Sequence, residues 1–261
     1  MLPTNKTQSE KPELNKLTWL IYGAPGIGKS TLFSKFPNAL FLYTDPGLTF
    51  ITAYKHPIQK WVEFKEAVKE LVAQPKPVYG IVVVDTVDLL WAQCVEYVCK
   101  SRGIEHESDE QWGKAYAIIE REFKIPIQQL CMLKSKGCGV AFISHATEVE
   151  IRGRIVKTSK VVPTLAKKAR SIVMPLCDVI GYCGFSLSQS QDVDLKSPRY
   201  LFFKPDETLE AKDRTTLLPE KCLLDIEHLK ECFDSTPRAT APVASKQMGP
   251  NKLAVKKVIR R

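Results

Sequence analysis

The sequence lacks the features that define several protein classes. It contains no apolar run of the roughly 18 residues that a membrane-spanning helix needs, so we expect no membrane association. Its first 16 residues contain no apolar stretch of the kind found in secretory signals. The eight cysteines include no CxxC pair and no histidine at a zinc-like spacing. These absences predict a reduced, cytoplasmic protein without a structural metal.

Acidic residues are absent from the last 26 residues, 236–261, which contain seven basic ones. Because the whole chain has a formal net charge of +9, most of its net positive charge belongs to this segment. The segment is otherwise polar and contains proline and glycine, which predicts a disordered basic tail over 235–261. Residues 1–16 are also polar and predict a flexible lead-in. The remaining residues, 17–234, have an ordinary globular composition and predict one domain.

Short apolar runs alternate with helical patterns along this domain. Four runs are too short for helices and favour strands: 17–22, 39–43, 80–84 and 139–144. A helical pattern at 111–134 contains Pro126, which predicts a break or a kink there. Shorter runs with hairpin-like spacing follow at 179–185 and 200–203. This order predicts an α/β fold with a mostly parallel central sheet flanked by helices, and with short antiparallel strands toward the C-terminal end.

Residues 23–30 match the phosphate-loop pattern GxxxxGK[ST] in full, between a strand pattern and a helical pattern. Glycines let backbone N–H groups point at phosphate oxygens, and the start of the helix adds favourable positive charge. The motif therefore predicts ATP and Mg²⁺ as cofactors, with Lys29 at the β- and γ-phosphates and the Ser30 hydroxyl on the metal. The predicted nucleotide-binding residues are Gly23, Ala24, Pro25, Gly26, Ile27, Gly28, Lys29, Ser30 and Thr31.

The carboxylate of Asp85 is the predicted partner of Ser30 in holding Mg²⁺. It ends the buried strand pattern GIVVVD, and an acidic residue at that place can hold the metal beside the phosphate loop. Capping of the helix that starts near Val87 is an alternative role, and the two roles are compatible. Asp88 is a rival metal ligand, although its position three residues further on favours the following helix.

With these motifs placed, their order resembles that of the RecA-like P-loop ATPases of phages. Within that class it is similar to the branch of the Sak single-strand annealing proteins that has a bare RecA core, with an AAA-type ATP-binding domain. The resemblance covers about 17–218 and rests on WLIYGAPGIGKSTL, ALFLYTDPGL, WVEFKEAVKEL, GIVVVDTVDLL, QWGKAY, VAFISHA and AKDRT. The phosphate-loop and GIVVVD segments occur in many P-loop proteins, whereas the whole ordered set is more specific. The resemblance implies a RecA-like P-loop NTPase fold.

The resemblance also implies catalytic roles for Asp45 and His145. In the family, a Glu in an Asp-x-Glu-Gly-Gly-like turn polarises the attacking water, and Asp45 takes that place with a side chain one methylene shorter. Because base catalysis depends on reach, we expect slow hydrolysis. His145 follows the run at 139–144 and matches the polar sensor of the γ-phosphate. A plain turn at Asp45 and a structural role for His145 are the alternatives.

Lys212 and Arg214 match the Lys-x-Arg pair with which RecA-like rings and filaments reach a neighbour's ATP. In an extended segment the two side chains project on one face. A cation supplied in trans is worth about 10³–10⁵ in rate, so the pair implies a homo-oligomer, either ring or filament. A solvated turn with local ion pairs is the alternative. The full predicted catalytic set is Lys29, Asp45, Asp85, His145, Lys212 and Arg214.

The segment after His145 is rich in basic residues and is predicted to bind single-stranded DNA. It resembles a hairpin that turns at 152–154, and its predicted DNA contacts are Arg152, Arg154, Lys157 and Lys160. Contacts to phosphates give affinity without sequence information, and this affinity falls with salt. The segment has no aromatic residue for base stacking, so a charged, solvent-facing hairpin is the alternative.

Together these features predict an ATP-hydrolysing phage recombination protein that binds single-stranded DNA and promotes annealing or strand pairing. Its expected partners are single-stranded DNA, further copies of itself and a single-strand binding protein, and its expected location is the cytoplasm of a bacterial host. Two alternatives stay open. One is a replicative helicase-like motor or helicase loader on the same fold, and the other is a nucleotide-switched DNA-binding module with little hydrolysis.

Overall fold

The computed structural model describes residues 11–152, 157–185 and 198–235. The helices in these residues are α1 (Lys29–Ser34), α2 (Trp61–Ala73), α3 (Val87–Arg102), α4 (Lys114–Cys131), α5 (Lys167–Leu176) and α6 (Ile226–Ser235). The strands are β1 (Thr18–Gly23), β2 (Ala39–Tyr43), β3 (Tyr54–Pro57), β4 (Ile81–Asp85), β5 (Gly139–Ser144), β6 (Ala146–Arg152), β7 (Lys157–Pro163), β8 (Val179–Phe185), β9 (Arg199–Phe202), β10 (Lys212–Asp213) and β11 (Lys221–Leu223).

Nine of these strands form one sheet in the order β11-β9-β8-β1-β5-β4-β2-β3, with β10 pairing along β8. The strands from β8 to β3 in this order are parallel. Strands β9 and β10 each pair antiparallel with β8, and β11 pairs antiparallel with β9. In this RecA-like α/β fold, β5 lies between β1, which leads into the phosphate loop, and β4, which ends in Asp85. The predicted fold class is confirmed. The sequence pattern missed β3, β10 and β11, which are short.

The central strands are covered on both faces. Every residue of β1, β4 and β5 is buried, which explains why their sequences run apolar without alternation. One face of the sheet packs around Trp61, Phe64 and Phe123, and the other packs around Trp19 and Phe33. The sheet is therefore a rigid support for the loops that follow its strands.

Helix α4 differs from its prediction in two places. It begins at Lys114, after Trp112, whose backbone is left-handed with φ 63° and ψ 18°. It then continues through Pro126 to Cys131, so a break at the proline is wrong. Pro126, Ile127 and Leu130 are all buried, and their packing against the core offsets the hydrogen bond that proline cannot donate.

The predicted hairpin after β5 is confirmed as a separate two-stranded antiparallel sheet of β6 and β7. Ala146 pairs with Pro163 at its base, and Arg152 pairs with Lys157 at its far end. The turn at 153–156 lies outside the described residues. The base of this hairpin therefore lies next to the carboxyl end of β5.

The two chain ends differ in how far the structure describes them. Leu14–Lys16 forms a 3-10 helix, Leu14 is buried, and its carbonyl oxygen accepts a hydrogen bond from Trp19 Nε1 at 3.2 Å. The flexible lead-in predicted for 1–16 is therefore wrong for its last residues, because Leu14 adds apolar surface to the core. Residues 1–10 and 236–261 lie outside the described residues.

Among the described helices, none has the length and apolarity needed to cross a bilayer.

Candidate functional site

The phosphate loop leaves the sheet at the end of β1 and enters α1. Gly28 caps the helix with φ 111° and ψ 15°, a conformation that residues with a Cβ rarely adopt. At Gly23, a Cβ would lie 2.4 Å from the carbonyl oxygen of Cys183 on β8, so the close approach of the two strands requires glycine. Backbone geometry at both ends of the loop thus explains these two glycines of the pattern.

Lys29 is the buried cation of this loop, with only 6% of its surface exposed. Its Nζ donates hydrogen bonds to the carbonyl oxygens of Gly23 at 2.8 Å and Ala24 at 2.9 Å. Burial lowers the pKa of Lys29 from its usual value, and the neighbouring Cys183 and Asp85 oppose this shift. A phosphate would offer this ammonium group charged acceptors in place of two neutral carbonyls, and charge-assisted bonds are stronger.

Asp85 ends β4 and lies against the start of α1. Its Oδ2 accepts a hydrogen bond from Ser30 Oγ at 2.6 Å. Burial raises the pKa of Asp85, while the Ser30 hydrogen bond and Lys29 lower it. Thr86, rather than Asp85, occupies the N-cap position of α3. A buried carboxylate in contact with a hydroxyl, both hard oxygen donors, fits the ligand chemistry of Mg²⁺.

The end of β2 is tied to the end of β4 through Thr44. Its N–H donates to the carbonyl oxygen of Asp85 at 2.8 Å, and its Oγ1 accepts from the N–H of Thr86 at 3.0 Å. Asp45 follows, and its Oδ1 accepts from the N–H of Gly47 at 3.1 Å, which caps a 3-10 helix at Pro46–Leu48. The turn given above as the alternative is therefore present. Its presence leaves the catalytic role of Asp45 a prediction.

These strand ends enclose a cavity of about 380 Å³. The phosphate loop and the first turn of α1 form one wall, and Leu48 and Ile51 add an apolar side. Asp45, Asp85 and His145 also line it, so the fold brings these three predicted residues together with Lys29. The sheet therefore gathers four of the six predicted catalytic residues at one place.

His145 follows β5 and brings an unsatisfied ring nitrogen to this region. Its Nδ1 is buried and has no hydrogen-bond partner within the described ranges. Its backbone N–H donates to Oδ2 of Asp88 at 3.3 Å, and Oδ1 of Asp88 accepts from Ser144 Oγ and Thr164 Oγ1, each at 2.8 Å. Both oxygens of Asp88 are thus engaged by protein donors. The rival metal role for Asp88 does not fit, because its carboxylate is occupied and lies outside the cavity wall.

Lys212 and Arg214 lie far from the phosphate loop of their own chain. Strand β10 pairs with Val179 and Ile180 at the start of β8, whereas Gly23 pairs with Cys183 further along β8. The pair therefore lies at the amino-terminal edge of the parallel strands, opposite the cavity.

Both cations of this pair contact the end of α5. Lys212 Nζ donates to the carbonyl oxygens of Met174 at 2.9 Å and Cys177 at 2.5 Å, and Arg214 Nη2 donates to that of Pro175 at 2.8 Å. The two side chains thus share one face, as expected of an extended segment. Burial and the charge of Arg214 lower the pKa of Lys212. These contacts satisfy carbonyl groups that a helix end leaves without partners.

Three of the four predicted DNA contacts, Arg152, Lys157 and Lys160, lie on the hairpin of β6 and β7. Lys160 on β7 forms an ion pair with Glu210 at 3.0 Å. Arg152 and Lys157 are backbone partners at the far end of the hairpin, and Arg154 lies outside the described residues. The structure therefore places three of these residues on one hairpin that begins at the cavity.

Sequence reasoning missed two contacts near the loop. Arg199 Nη1, at the start of β9, donates to the carbonyl oxygen of Ile27 inside the phosphate loop at 3.0 Å. Tyr22 donates its hydroxyl hydrogen to the carbonyl oxygen of Glu210 at 2.6 Å and accepts from the N–H of Glu210 at 3.2 Å. Burial raises the pKa of Tyr22. No motif marks Arg199, and Tyr22 had only its position before Gly23 as a signal.

A RecA-like sheet on which a phosphate loop and a strand-end carboxylate meet at one cavity defines a P-loop ATPase. Comparison with known families supports the same class, since residues 15–215 match the AAA_24 family, described as an AAA domain. The match covers most of the chain, and the chain belongs to this family.

Among known proteins, the chain is similar to "SPbeta prophage-derived uncharacterized protein YorG" of Bacillus subtilis (strain 168), with 28% identity over 167 residues. The match covers 62% of this chain and 49% of the relative, so the chain spans about half the length of that protein. Two solved structures are also similar. The RadB recombinase has 14% identity and a TM-score of 0.43, covering 72% of this chain and 80% of its own. A KaiC-like protein of Pyrococcus horikoshii OT3 has 12% identity and a TM-score of 0.42, covering 80% of this chain and 85% of its own.

Proposed function

We propose that this chain is a phage recombination ATPase of the Sak type, which binds single-stranded DNA under the control of ATP and promotes annealing or strand pairing. The observation that carries the proposal is the position of the basic hairpin, whose first residue, Ala146, directly follows His145 at the cavity wall. A nucleotide that contacts His145 therefore contacts the residue directly before the hairpin that we propose binds DNA. The prophage origin of the similar B. subtilis protein supports a phage setting.

At the nucleotide, Lys29 exchanges its two carbonyl contacts for the β- and γ-phosphates. Ser30 and Asp85 would hold Mg²⁺, which would neutralise negative charge on the phosphates. Asp45 orients the attacking water. Its short side chain and its hydrogen bond to Gly47 support slow hydrolysis, because a base must reach the proton that it accepts.

Several copies are needed for the full site. Lys212 and Arg214 lie at the sheet edge opposite their own cavity, so they complete a catalytic site only in a neighbouring copy. This supports a ring or a filament, with the pair supplied in trans. Arg152, Arg154, Lys157 and Lys160 provide phosphate contacts to single-stranded DNA, and a single-strand binding protein that covers the same DNA is a further partner.

The test is the rate of ATP hydrolysis with and without single-stranded DNA, for the wild type and for Arg214→Ala. We expect DNA to stimulate the wild type, and Arg214→Ala to hydrolyse ATP about 10³-fold more slowly, the lower end of the effect of a trans cation. Arg121→Ala, which removes an exposed arginine of α4, is the matched control and keeps the wild-type rate. Absence of DNA stimulation contradicts the DNA coupling, and an unchanged rate in Arg214→Ala contradicts the trans role.

A second function, a nucleotide-switched DNA-binding module with little hydrolysis, is favoured by the engagement of Asp45 with Gly47. In such a module, ATP binding alone sets the affinity for DNA. The two functions differ in the effect of Asp45→Asn. If the wild type hydrolyses ATP no faster than this variant and both bind DNA in response to ATP, the switch is the better description.

A further inference from the structure

Both ends of the hairpin meet at the carboxylate of Asp88, in the first turn of α3. On the side where the chain enters the hairpin, Ser144 Oγ donates to Oδ1 at 2.8 Å and the N–H of His145 donates to Oδ2 at 3.3 Å. On the side where it leaves, Thr164 Oγ1 donates to Oδ1 at 2.8 Å. One charged acceptor thus holds the residues just before β6 and the residue just after β7.

The same helix turn begins at the nucleotide site. Asp85 ends β4, Thr86 is the extended N-cap residue of α3, and the helix begins at Val87, so only two residues separate Asp85 from Asp88. The N–H of Leu90 donates to the carbonyl oxygen of Thr86 at 3.2 Å, which closes the helix turn that contains Asp88. Asp85 in turn bonds to Ser30 of α1. Asp85 and Asp88 are therefore joined by a short path through Thr86 and the first turn of α3, along which a displacement of Asp85 can reach Asp88.

The hairpin has other attachments that do not use Asp88. The N–H of Thr164 donates to the carbonyl oxygen of His145 at 3.0 Å, which closes the base of the hairpin. On the β7 side, the N–H of Val161 donates to the carbonyl oxygen of Thr208 at 2.8 Å. These bonds keep the hairpin attached when the contact to Asp88 is removed. Loss of that contact therefore changes how the hairpin is coupled, rather than whether it folds.

We propose that Asp88 is a positioning residue that transmits occupancy of the phosphate-loop site to the hairpin through His145 and Thr164. Hydrogen bonds to a charged acceptor are stronger than neutral ones, so movement of the first turn of α3 carries both hairpin ends together. The proposal rests on the proposed function, because it describes how ATP reaches the element that we expect to bind DNA. A sensor role for His145 alone would differ, because it would act only on the end of the hairpin where the chain enters it.

The test is amide hydrogen exchange of β6 and β7, with and without the magnesium complex of a non-hydrolysable ATP analogue. In the wild type, the nucleotide slows exchange in both strands. Thr164→Val removes one donor to Asp88 from an exposed position, and we expect the nucleotide-dependent slowing to fall by about tenfold, as for loss of a hydrogen bond to a charged group. Thr164→Ser keeps the hydroxyl and restores the slowing.

Thr208→Val is the matched control. Thr208 also donates its hydroxyl to an aspartate at 2.8 Å, in this case Asp206, and its carbonyl oxygen contacts β7. It has no bond to Asp88, so we expect the wild-type response. Asp88→Asn is the second variant, and it loses the response more completely than Thr164→Val because the charge at all three contacts is removed.

Nucleotide affinity is measured in parallel by displacement of a fluorescent ATP analogue. If the wild type binds nucleotide but β6 and β7 do not respond, or if Thr164→Val and Asp88→Asn respond as the wild type does, the role of Asp88 is wrong. A response lost equally in Thr208→Val also contradicts it, because general loosening around the hairpin would then explain the result. If the wild type binds no nucleotide, the proposed function itself fails, and the two failures are thereby distinguished.

Discussion

Lys29 and Lys212 make the same kind of contact at opposite edges of one sheet. Each ammonium group donates to two backbone carbonyl oxygens, those of Gly23 and Ala24 for Lys29 and those of Met174 and Cys177 for Lys212. Burial lowers the pKa of both lysines. Local bonding therefore does not distinguish the two sites.

What surrounds each lysine does distinguish them. Lys29 lies in a loop whose carbonyls it can exchange for phosphate oxygens, beside the carboxylate of Asp85 and inside a cavity. Lys212 bonds to the end of α5, where helix carbonyls need donors, and Arg214 raises the local positive charge. The difference shows that the phosphate loop is arranged for a ligand within its own chain. The Lys212 edge gains a catalytic role only if another copy brings its nucleotide there.

The largest expected effect concerns the two lysines themselves. Lys29→Ala should lower ATP hydrolysis by about 10³-fold, because it removes a preorganised donor to the transferring phosphate. Lys212→Ala should also lower hydrolysis while leaving the affinity for nucleotide unchanged. The measurement is the hydrolysis rate and the nucleotide affinity of each purified variant, together with the rate of an equal mixture of the two.

The mixture separates a trans role from helix capping. In mixed oligomers, a copy with intact Lys29 can meet a copy with intact Lys212, and random assembly restores about one quarter of wild-type activity. Capping of α5 acts only within each chain, so under that role mixing restores nothing. A mixture no more active than the average of its parts would contradict the trans assignment.

The phosphate-loop edge could be predicted from sequence, because each of its parts carries a local sequence signal. The pattern at 23–30 fixes a strand, a turn and a helix in order, and Asp85 ends an apolar run that has no other reading than a buried strand. The resemblance to phage RecA-like ATPases implies the roles of Asp45 and His145, and both residues follow parallel strands, whose carboxyl ends lie at one edge of a sheet. Four predicted catalytic residues meet at one cavity for this reason.

The other contacts could not be predicted, because they depend on pairing between distant segments. Arg199 reaches Ile27 across 172 positions, and Thr164 reaches Asp88 across 76. The place of Lys212 depends on the pairing of β10 with β8, and β10 is too short to leave a periodic pattern. A local motif identifies the chemical groups that are present, whereas the order of the strands in the sheet determines which residues lie next to those groups.

The next effect in size concerns Asp45, whose carboxylate both caps a turn and lines the cavity. Asp45→Ser keeps an oxygen that can accept from Gly47, but it cannot accept a proton from water. We expect its hydrolysis rate to fall about a hundredfold, in the range for loss of a general base, with nucleotide affinity unchanged. Asp45→Glu restores the missing methylene and should exceed the wild-type rate. Wild-type hydrolysis in Asp45→Ser would leave only the turn role.

The smallest effect is on stability and concerns Asp85. Its folded-state pKa is raised, chiefly by burial, so the folded protein binds its proton more tightly than the unfolded chain does. Stability of the nucleotide-free protein should therefore fall as pH rises from about 4 through the folded pKa. Asp85→Asn removes the buried charge and should raise the free energy of unfolding at pH 7 by on the order of 1 kcal/mol. Urea unfolding without Mg²⁺ or nucleotide measures this.

Asp206 provides the opposite sign as a control. Hydrogen bonds from Thr208 lower its pKa, so its carboxylate stabilises the fold above its usual pKa, and this contribution is lost as pH falls. Asp206→Asn should therefore be less stable than the wild type at pH 7, and this difference should vanish in acid. Asp85→Asn should be more stable at pH 7 and also converge with the wild type in acid. A lower stability of Asp85→Asn at neutral pH would contradict this prediction. It would mean that the contacts of the carboxylate with Lys29 and Ser30 stabilise its charge by more than burial destabilises it, so that the site does not require a metal to balance that charge.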